Sequence, residues 1–321
     1  MRLHAFTKTV LLGLFVTVMG RAVSVYAQAA SWQDLTAEGK KALEEGDLPR
    51  AEHLFSEAQR ESNRFGPADQ RRAVSLNLLA QLYDEQGKYR QAEMFFHRSL
   101  AEMRRATGGT SREVAGILNN LGHVYTEEHR LGRAKGAIED ALAIREKLSL
   151  PENEEQAEVL NNLGAVYYMR RQYGRAESLY LRAIALHQQA SAAQNRVLAR
   201  DWNNLATLYL DTGRLNEAET LFQRALVITE SAGAGGDSLS ASIRFNLGEL
   251  YRMDEQPEEA DKAYRSAAAL WEKLLEANKP ALADKLDLLA VAYRTMAKYI
   301  QAGDFRTRAE AIRVNSAFRA H

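Results

Sequence analysis

Leu160-Asn161-Asn162-Leu163-Gly164-Ala165-Val166-Tyr167, followed by Tyr173, Ala176 and Tyr180, is one line of a text that the chain writes repeatedly. Forty-two residues earlier it reads Leu118-Asn119-Asn120-Leu121-Gly122, with Tyr125, Leu131 and Ala134. Forty-two residues later it reads Trp202-Asn203-Asn204-Leu205-Ala206, with Tyr209, Leu215 and Ala218. Leu76-Asn77-Leu78-Leu79-Ala80, with Tyr83, Tyr89 and Ala92, stands before these. Asn246-Leu247-Gly248 with Tyr251 and Ala260, then Leu288-Leu289-Ala290 with Tyr293, Tyr299 and Ala302, close the series. A fixed period of this size marks a repeat fold, in which no unit can bury its apolar face alone and stacking supplies the core.

Each line encodes two helices. Leu160, Leu163 and Tyr167 recur at i, i+3 and i+7, and Ala176, Leu179, Tyr180, Ala183 and Ile184 form a second helical stripe. Between them Arg170-Arg171-Gln172 fills the slot that Gln86-Gly87-Lys88 and Thr212-Gly213-Arg214 fill elsewhere, a helix-ending turn. Small residues recur too: Gly122, Gly164, Ala206 and Gly248 on the first helix, and Ala92, Ala134, Ala176, Ala218, Ala260 and Ala302 on the second. Glycine inside a helix costs up to about 1 kcal/mol relative to alanine, so its return needs a close packing contact as its reason.

These residues resemble the tetratricopeptide repeat. Its pattern of large, large-small, aromatic, alanine, aromatic, alanine is met by Leu160, Leu163-Gly164, Tyr167, Ala176, Tyr180 and Ala183, and again by Trp202, Leu205-Ala206, Tyr209, Ala218, Phe222 and Ala225. The 42-residue period and doubled asparagine resemble the kinesin-light-chain type. The resemblance implies an all-α fold, an α-solenoid wound as a right-handed superhelix from about seven helix-turn-helix repeats. A degenerate first copy spans about 32–70, through Trp32, Leu35, Gly39, Gly46 and Ala51, and regular copies span about 72–314. Arg306 stands where earlier copies place Phe96, Ile138, Tyr180, Phe222 and Tyr264, so the last helix is expected to cap the stack with a polar face. Gly233 to Asp237 reads as a flexible connection and a candidate hinge.

The remaining composition narrows function. Lys+Arg and Asp+Glu balance at 42 each, which gives no electrostatic footprint for nucleic acid. Cysteine is absent, and no phosphate loop, G-x-S-x-G or H-E-x-x-H is written anywhere. His123, Glu127 and His129 lie close in sequence but lack the second histidine-carboxylate set of a metal site. A non-catalytic chain without metal or cofactor is the expectation.

Residues 1–27 follow another grammar. Arg2 and Lys8 precede the uncharged run Val10 to Met19, and Val25-Tyr26-Ala27 puts a small residue just before Gln28, the order of a secretory signal peptide. The run is shorter than the roughly 20 residues of a membrane span. The mature chain, 28–321, is therefore expected in an exported compartment, periplasmic or secreted, without a membrane span.

Helical periodicity also selects a candidate binding face. Opposite the buried stripe of the first helices lie Asn120, His123 and Glu127; then Asn162, Tyr168 and Met169; then Arg200, Asn204 and Asp211; then Asn246 and Arg252. The resemblance implies that first helices line a concave groove. Asparagine is a mediocre helix former, so its return at 120, 162, 204 and 246 predicts a ladder of amides for an extended peptide backbone. Asn77, Asn119, Asn161 and Asn203 lie about 70° away and are expected to bond between repeats. Carboxylate-clamp members of the family use lysine or arginine where this chain has Asn119, Asn161 and Asn203, so capture of a peptide C-terminus is not implied. The expected partner is a protein or extended peptide. The alternative is a structural subunit of an envelope or secretion assembly that uses its convex face or ends.

Cleavage after Ala27 or Ala29 is the expected fate of the amino terminus. N-terminal sequencing of protein from its native host should find Gln28 or Ala30 first. An intact Met1 in a cytoplasmic fraction would defeat the export expectation.

Overall fold

The computed structural model describes residues 30–190, 196–231, 238–274 and 279–318. The expected signal segment and the Gly233–Asp237 connection lie outside the described residues. Among them are fourteen helices and no strand, in seven consecutive pairs. The pairs are α1 (Trp32–Glu44) with α2 (Leu48–Ser62), α3 (Gln70–Glu85) with α4 (Tyr89–Thr107), α5 (Arg112–Glu127) with α6 (Leu131–Lys147), and α7 (Glu154–Met169) with α8 (Tyr173–Ala190). They continue as α9 (Arg196–Asp211) with α10 (Leu215–Ser231), α11 (Ser238–Met253) with α12 (Pro257–Leu274), and α13 (Lys279–Thr295) with α14 (Tyr299–Phe318). The pairs fall into two compact units, 1–109 and 110–321, the first ending on Gly108-Gly109, both with left-handed backbone.

First helices start on side-chain caps. Ser31, Asp69, Ser111 and Asn153 each accept a backbone N–H from the first turn, which satisfies one of the donors a helix start leaves open. They end differently. The carbonyl of each repeat tyrosine accepts an N–H from five residues on: Lys88 to Tyr83 at 2.8 Å, Gln172 to Tyr167 at 2.9 Å, Arg214 to Tyr209 at 2.8 Å. That closure forces one turn residue into the left-handed region. Gly46, Gly87 and Gly213 take it without strain, whereas His129, Arg171, Glu255 and Ala297 are held there at φ +57.

The small residues face the large ones. A Cβ added to Gly164 would stand 2.7 Å from the Tyr180 ring, and one on Gly39 or Gly248 would stand 2.5 Å from Phe55 or Tyr264. At Gly122 the obstruction is Ile138. Phe55, Ile138, Tyr180 and Tyr264 are all buried, so these contacts form the floor of each helix pair. The degenerate first copy thus carries the same device as the regular ones. In the last pair Arg306 is exposed and bonds Glu310 at 3.1 Å, at the position where Phe96, Ile138, Tyr180, Phe222 and Tyr264 are buried.

Between repeats, a tyrosine of one first helix reaches a carboxylate of the preceding second helix. Tyr83 donates to Glu52 at 2.9 Å, Tyr209 to Glu177 at 3.0 Å and Tyr251 to Glu219 at 3.1 Å. Burial first, and the carboxylate second, push the Tyr83 phenol up to about 12. A second buried position is less uniform. Met103, Arg145, His187, Thr229 and Trp271 stand 42 residues apart, all buried, each with its own surroundings. Arg145 bonds Gln156 at 2.6 Å, Glu155 at 2.9 Å and Asn153 at 2.9 Å, fixing the start of α7. His187 instead meets Asp201 of α9 at 2.5 Å.

Gly164→Leu should overpack the α7–α8 floor and destabilise by about 1–3 kcal/mol or more. Because adjoining repeats share their interfaces, loss of helicity should extend past this pair. A thermal melt followed by circular dichroism checks it, and an unchanged melt would refute the packing contact.

Candidate functional site

The candidate face lies within unit 110–321, on the first helices α5, α7, α9 and α11. Asparagine sits near the middle of each because the sequence repeats it there, and the core stripe fixes which way it turns. Asn162 Nδ2 donates to Asn119 Oδ1 at 3.0 Å, Asn204 Nδ2 to Asn161 Oδ1 at 3.2 Å, and Asn246 Nδ2 to Asn203 Oδ1 at 3.0 Å. Asn246 also reaches Thr207 Oγ1 at 3.3 Å. The separation is 43 residues each time, one more than the period, so the donor is always the second asparagine and the acceptor the first.

That pairing corrects the expectation that the two asparagine series have separate tasks. Asn119, Asn161 and Asn203 do bond between repeats, but Asn162, Asn204 and Asn246 are their partners and already spend a donor internally. The physical reason is packing: Asn119 and Asn161 are buried, at 5% and 3% exposure, and a buried carbonyl oxygen demands a donor. Asn120, Asn162, Asn204 and Asn246 are all partly exposed, so the face remains wet along its length.

Around the rungs, other expected residues divide into tied and open ones. Tyr168 donates its hydroxyl to Asp211 at 2.6 Å, joining α7 to α9. Burial and that carboxylate hold the phenol well above its ordinary value. Arg252 bonds Glu249 at 2.7 Å, and Glu249 also accepts the Tyr264 hydroxyl at 2.5 Å. The hydrogen bond to Glu249 raises the Arg252 pKa, leaving the guanidinium charged. His123 stands 4.0 Å from Glu127 one turn on. Arg200, Glu127 and Asp211 are exposed, and Met169 is half-buried. Thr207 and Glu249, which share the phase of this face by helical periodicity, take part in these ties: Thr207 with Asn246, and Glu249 with Arg252 and Tyr264.

Among the described residues no three histidine or acidic side chains are grouped to hold a metal ion, and no helix is long and apolar enough to cross a membrane. The face offers amide, carboxylate, guanidinium and thioether groups on rigid helices, an arrangement suited to holding a chain by hydrogen bonds.

A double-mutant cycle on Asn161 and Asn204 should show a coupling of about 0.5–1.5 kcal/mol in urea unfolding. Asn204→Ala alone should cost more than Asn161→Ala, since it leaves the buried Asn161 oxygen without its donor. Additive losses would remove the rung as an energetic tie.

Tetratricopeptide-repeat family models match residues 72–112, 113–189, 197–270 and 241–313. No curated protein sequence matches the chain. Among solved structures, a Rap protein complexed with competence and sporulation factor is 15% identical, covers 94% of this chain and 80% of its own, with a TM-score of 0.70. The Rap conjugation gene regulator of plasmid pLS20, in complex with the Phr* peptide, is 14% identical, covering 95% and 84%, with a TM-score of 0.68. A kinesin-light-chain protein of nearly identical TPR-like repeats from Podosopora anserina is 18% identical, covering 65% and 98%, with a TM-score of 0.50. These likenesses concern the fold, and the family models span more than half of the sequence: the chain belongs to the tetratricopeptide-repeat family.

Proposed function

We propose that this chain is an exported, non-catalytic scaffold that holds an extended peptide or protein segment along the first-helix face of residues 110–321. The supporting observation is the ladder Asn162–Asn119, Asn204–Asn161 and Asn246–Asn203. Each amide is fixed by its neighbour through one N–H, and a planar amide offers a second N–H and a carbonyl oxygen beyond that bond. Groups held in place before a ligand arrives lose less entropy on binding it. Neighbouring helix axes lie about 8–10 Å apart and a strand rises about 3.3 Å per residue, so one rung serves about three residues of an extended segment. The peptide carried by the Rap regulator of pLS20 lends the same reading an analogy of fold. Export rests on the basic start, apolar run and Val25-Tyr26-Ala27 of the sequence. The absence of any assembled catalytic constellation in the sequence supports a binding role.

A photo-reactive residue placed at Arg200 or His123, on first helices, should capture a partner in the exported fraction of the native host. The same residue at Leu181 or Val227, exposed on second helices, should capture little. Capture from the second helices alone would favour a structural subunit joined through that face and would overturn the first-helix assignment.

A further inference from the structure

We infer that the face ends, at α13, in an anchoring patch for a large apolar side chain with an acidic one close to it in sequence on the bound peptide. This inference rests on the proposed peptide-binding role of the same face and names the ligand it selects.

Leu288 and Val291 stand where the preceding repeat has Asn246 and Glu249, yet both lie in the open, 46% and 58% exposed. Neither is needed for the core, which α13 supplies through Leu282, Leu286, Leu289 and Tyr293. The amide ladder stops at the same place. In its 43-residue register the next rung would run from position 288 to position 245, and both partners have changed together, to leucine and phenylalanine. The Phe245 ring packs against Tyr264 and Trp271 at 5.5 and 5.6 Å, so no orphaned amide is left behind. Four polar first helices thus give way to one that shows aliphatic surface on the corresponding side.

Charge defines what accompanies the apolar group. The acids of α13 are already neutralised: Asp284 and Asp287 meet Arg313 at 2.8 and 2.7 Å. Lys285 lies over the Trp271 ring at 5.4 Å. Arg294 is exposed, follows Leu288 and Val291 at i+6 and i+3, and has no ion-pair partner among the described residues. An aliphatic stripe with a cation at its end complements an apolar side chain with a carboxylate beyond it. The carboxylate is assigned to an aspartate or glutamate side chain, and amidated C-termini on the probe separate that source from a chain terminus.

The probe is a synthetic library of peptides about 12 residues long, enough to cross from α5 to α13 at the spacing above, with amidated C-termini. It is screened against the full chain carrying a photo-reactive residue at position 200. Peptides that crosslink there should be enriched in Leu, Phe or Met with Asp or Glu within a few residues on one consistent side. The Leu288→Asn/Val291→Glu variant copies the preceding repeat and should bind the selected peptides about ten- to a hundredfold more weakly, as expected for losing two buried aliphatic contacts. Arg294→Glu, at an exposed position, should remove the preference for acids while helicity is unchanged. Crosslinking at position 200 with no apolar-acidic preference, or with equal affinity in these variants, overturns the anchor and leaves the peptide-binding face standing. Selected peptides that bind more than about tenfold more tightly once resynthesised with a free C-terminal carboxylate also overturn it, because a chain terminus would then be the anion that is held. No crosslink from any peptide overturns the binding role itself. Self-association abolished by Leu288→Asn/Val291→Glu would make a second copy the occupant and refute the peptide anchor.

Discussion

Everything periodic in this molecule depends on a small residue of one helix admitting a large one from its partner. Gly164 against Tyr180, Gly248 against Tyr264 and Gly39 against Phe55 leave no room for even one added carbon. This approach sets the distance between the two helices of a pair. The turn must then close tightly, and non-glycine residues such as Arg171 are drawn into a left-handed backbone they would not choose alone. Local strain is accepted because the packing gain is collective. Where the small residue is alanine, as at Ala80 and Ala206, the facing residues Phe96 and Phe222 are buried just as completely.

A second set of ties works between repeats and is polar. Tyrosine-to-carboxylate bonds join second helices to the next first helix, and asparagine-to-asparagine bonds join first helices to one another. Each is modest by itself, roughly 0.5–1.5 kcal/mol. Their role is directional: apolar faces slide over one another with little penalty, while an amide that misses its partner in a buried setting does not. The face built from these bonds is therefore rigid in its register while remaining partly wet.

Most of the fold was legible because repetition multiplies a weak signal. A single Leu-Gly is ambiguous, but Gly122, Gly164 and Gly248 at one phase point to one packing contact, and the structure contains it. The exposure of Arg306 was legible for the same reason, as a departure from a pattern. The site was read less well. Helical angles placed Asn162 and Asn161 about 100° apart and suggested two roles, whereas adjoining helices are offset by one residue and bring position 162 to position 119. A periodic sequence does not disclose the offset between neighbouring helices, because side-chain packing decides it. The exposed pair Leu288 and Val291 was missed because apolar residues in a helix are read as core until their burial is known.

The buried position shared by Met103, Arg145, His187, Thr229 and Trp271 sets a limit on how this chain can change its length. Arg145 is matched by Gln156 and Glu155, and His187 by Asp201. One period later, Gln156 and Glu155 correspond to Leu198 and Val197; one period earlier, Asp201 corresponds to Val159. Duplication of residues 190–231, one 42-residue unit, would repeat a core alanine and a turn in the same phase. It would also set the second copy of Asp201 against Thr229 instead of His187, and an ionised group so stranded is among the costliest defects a folded interior can hold. The repeats look interchangeable from the outside, yet their order is written in the joints.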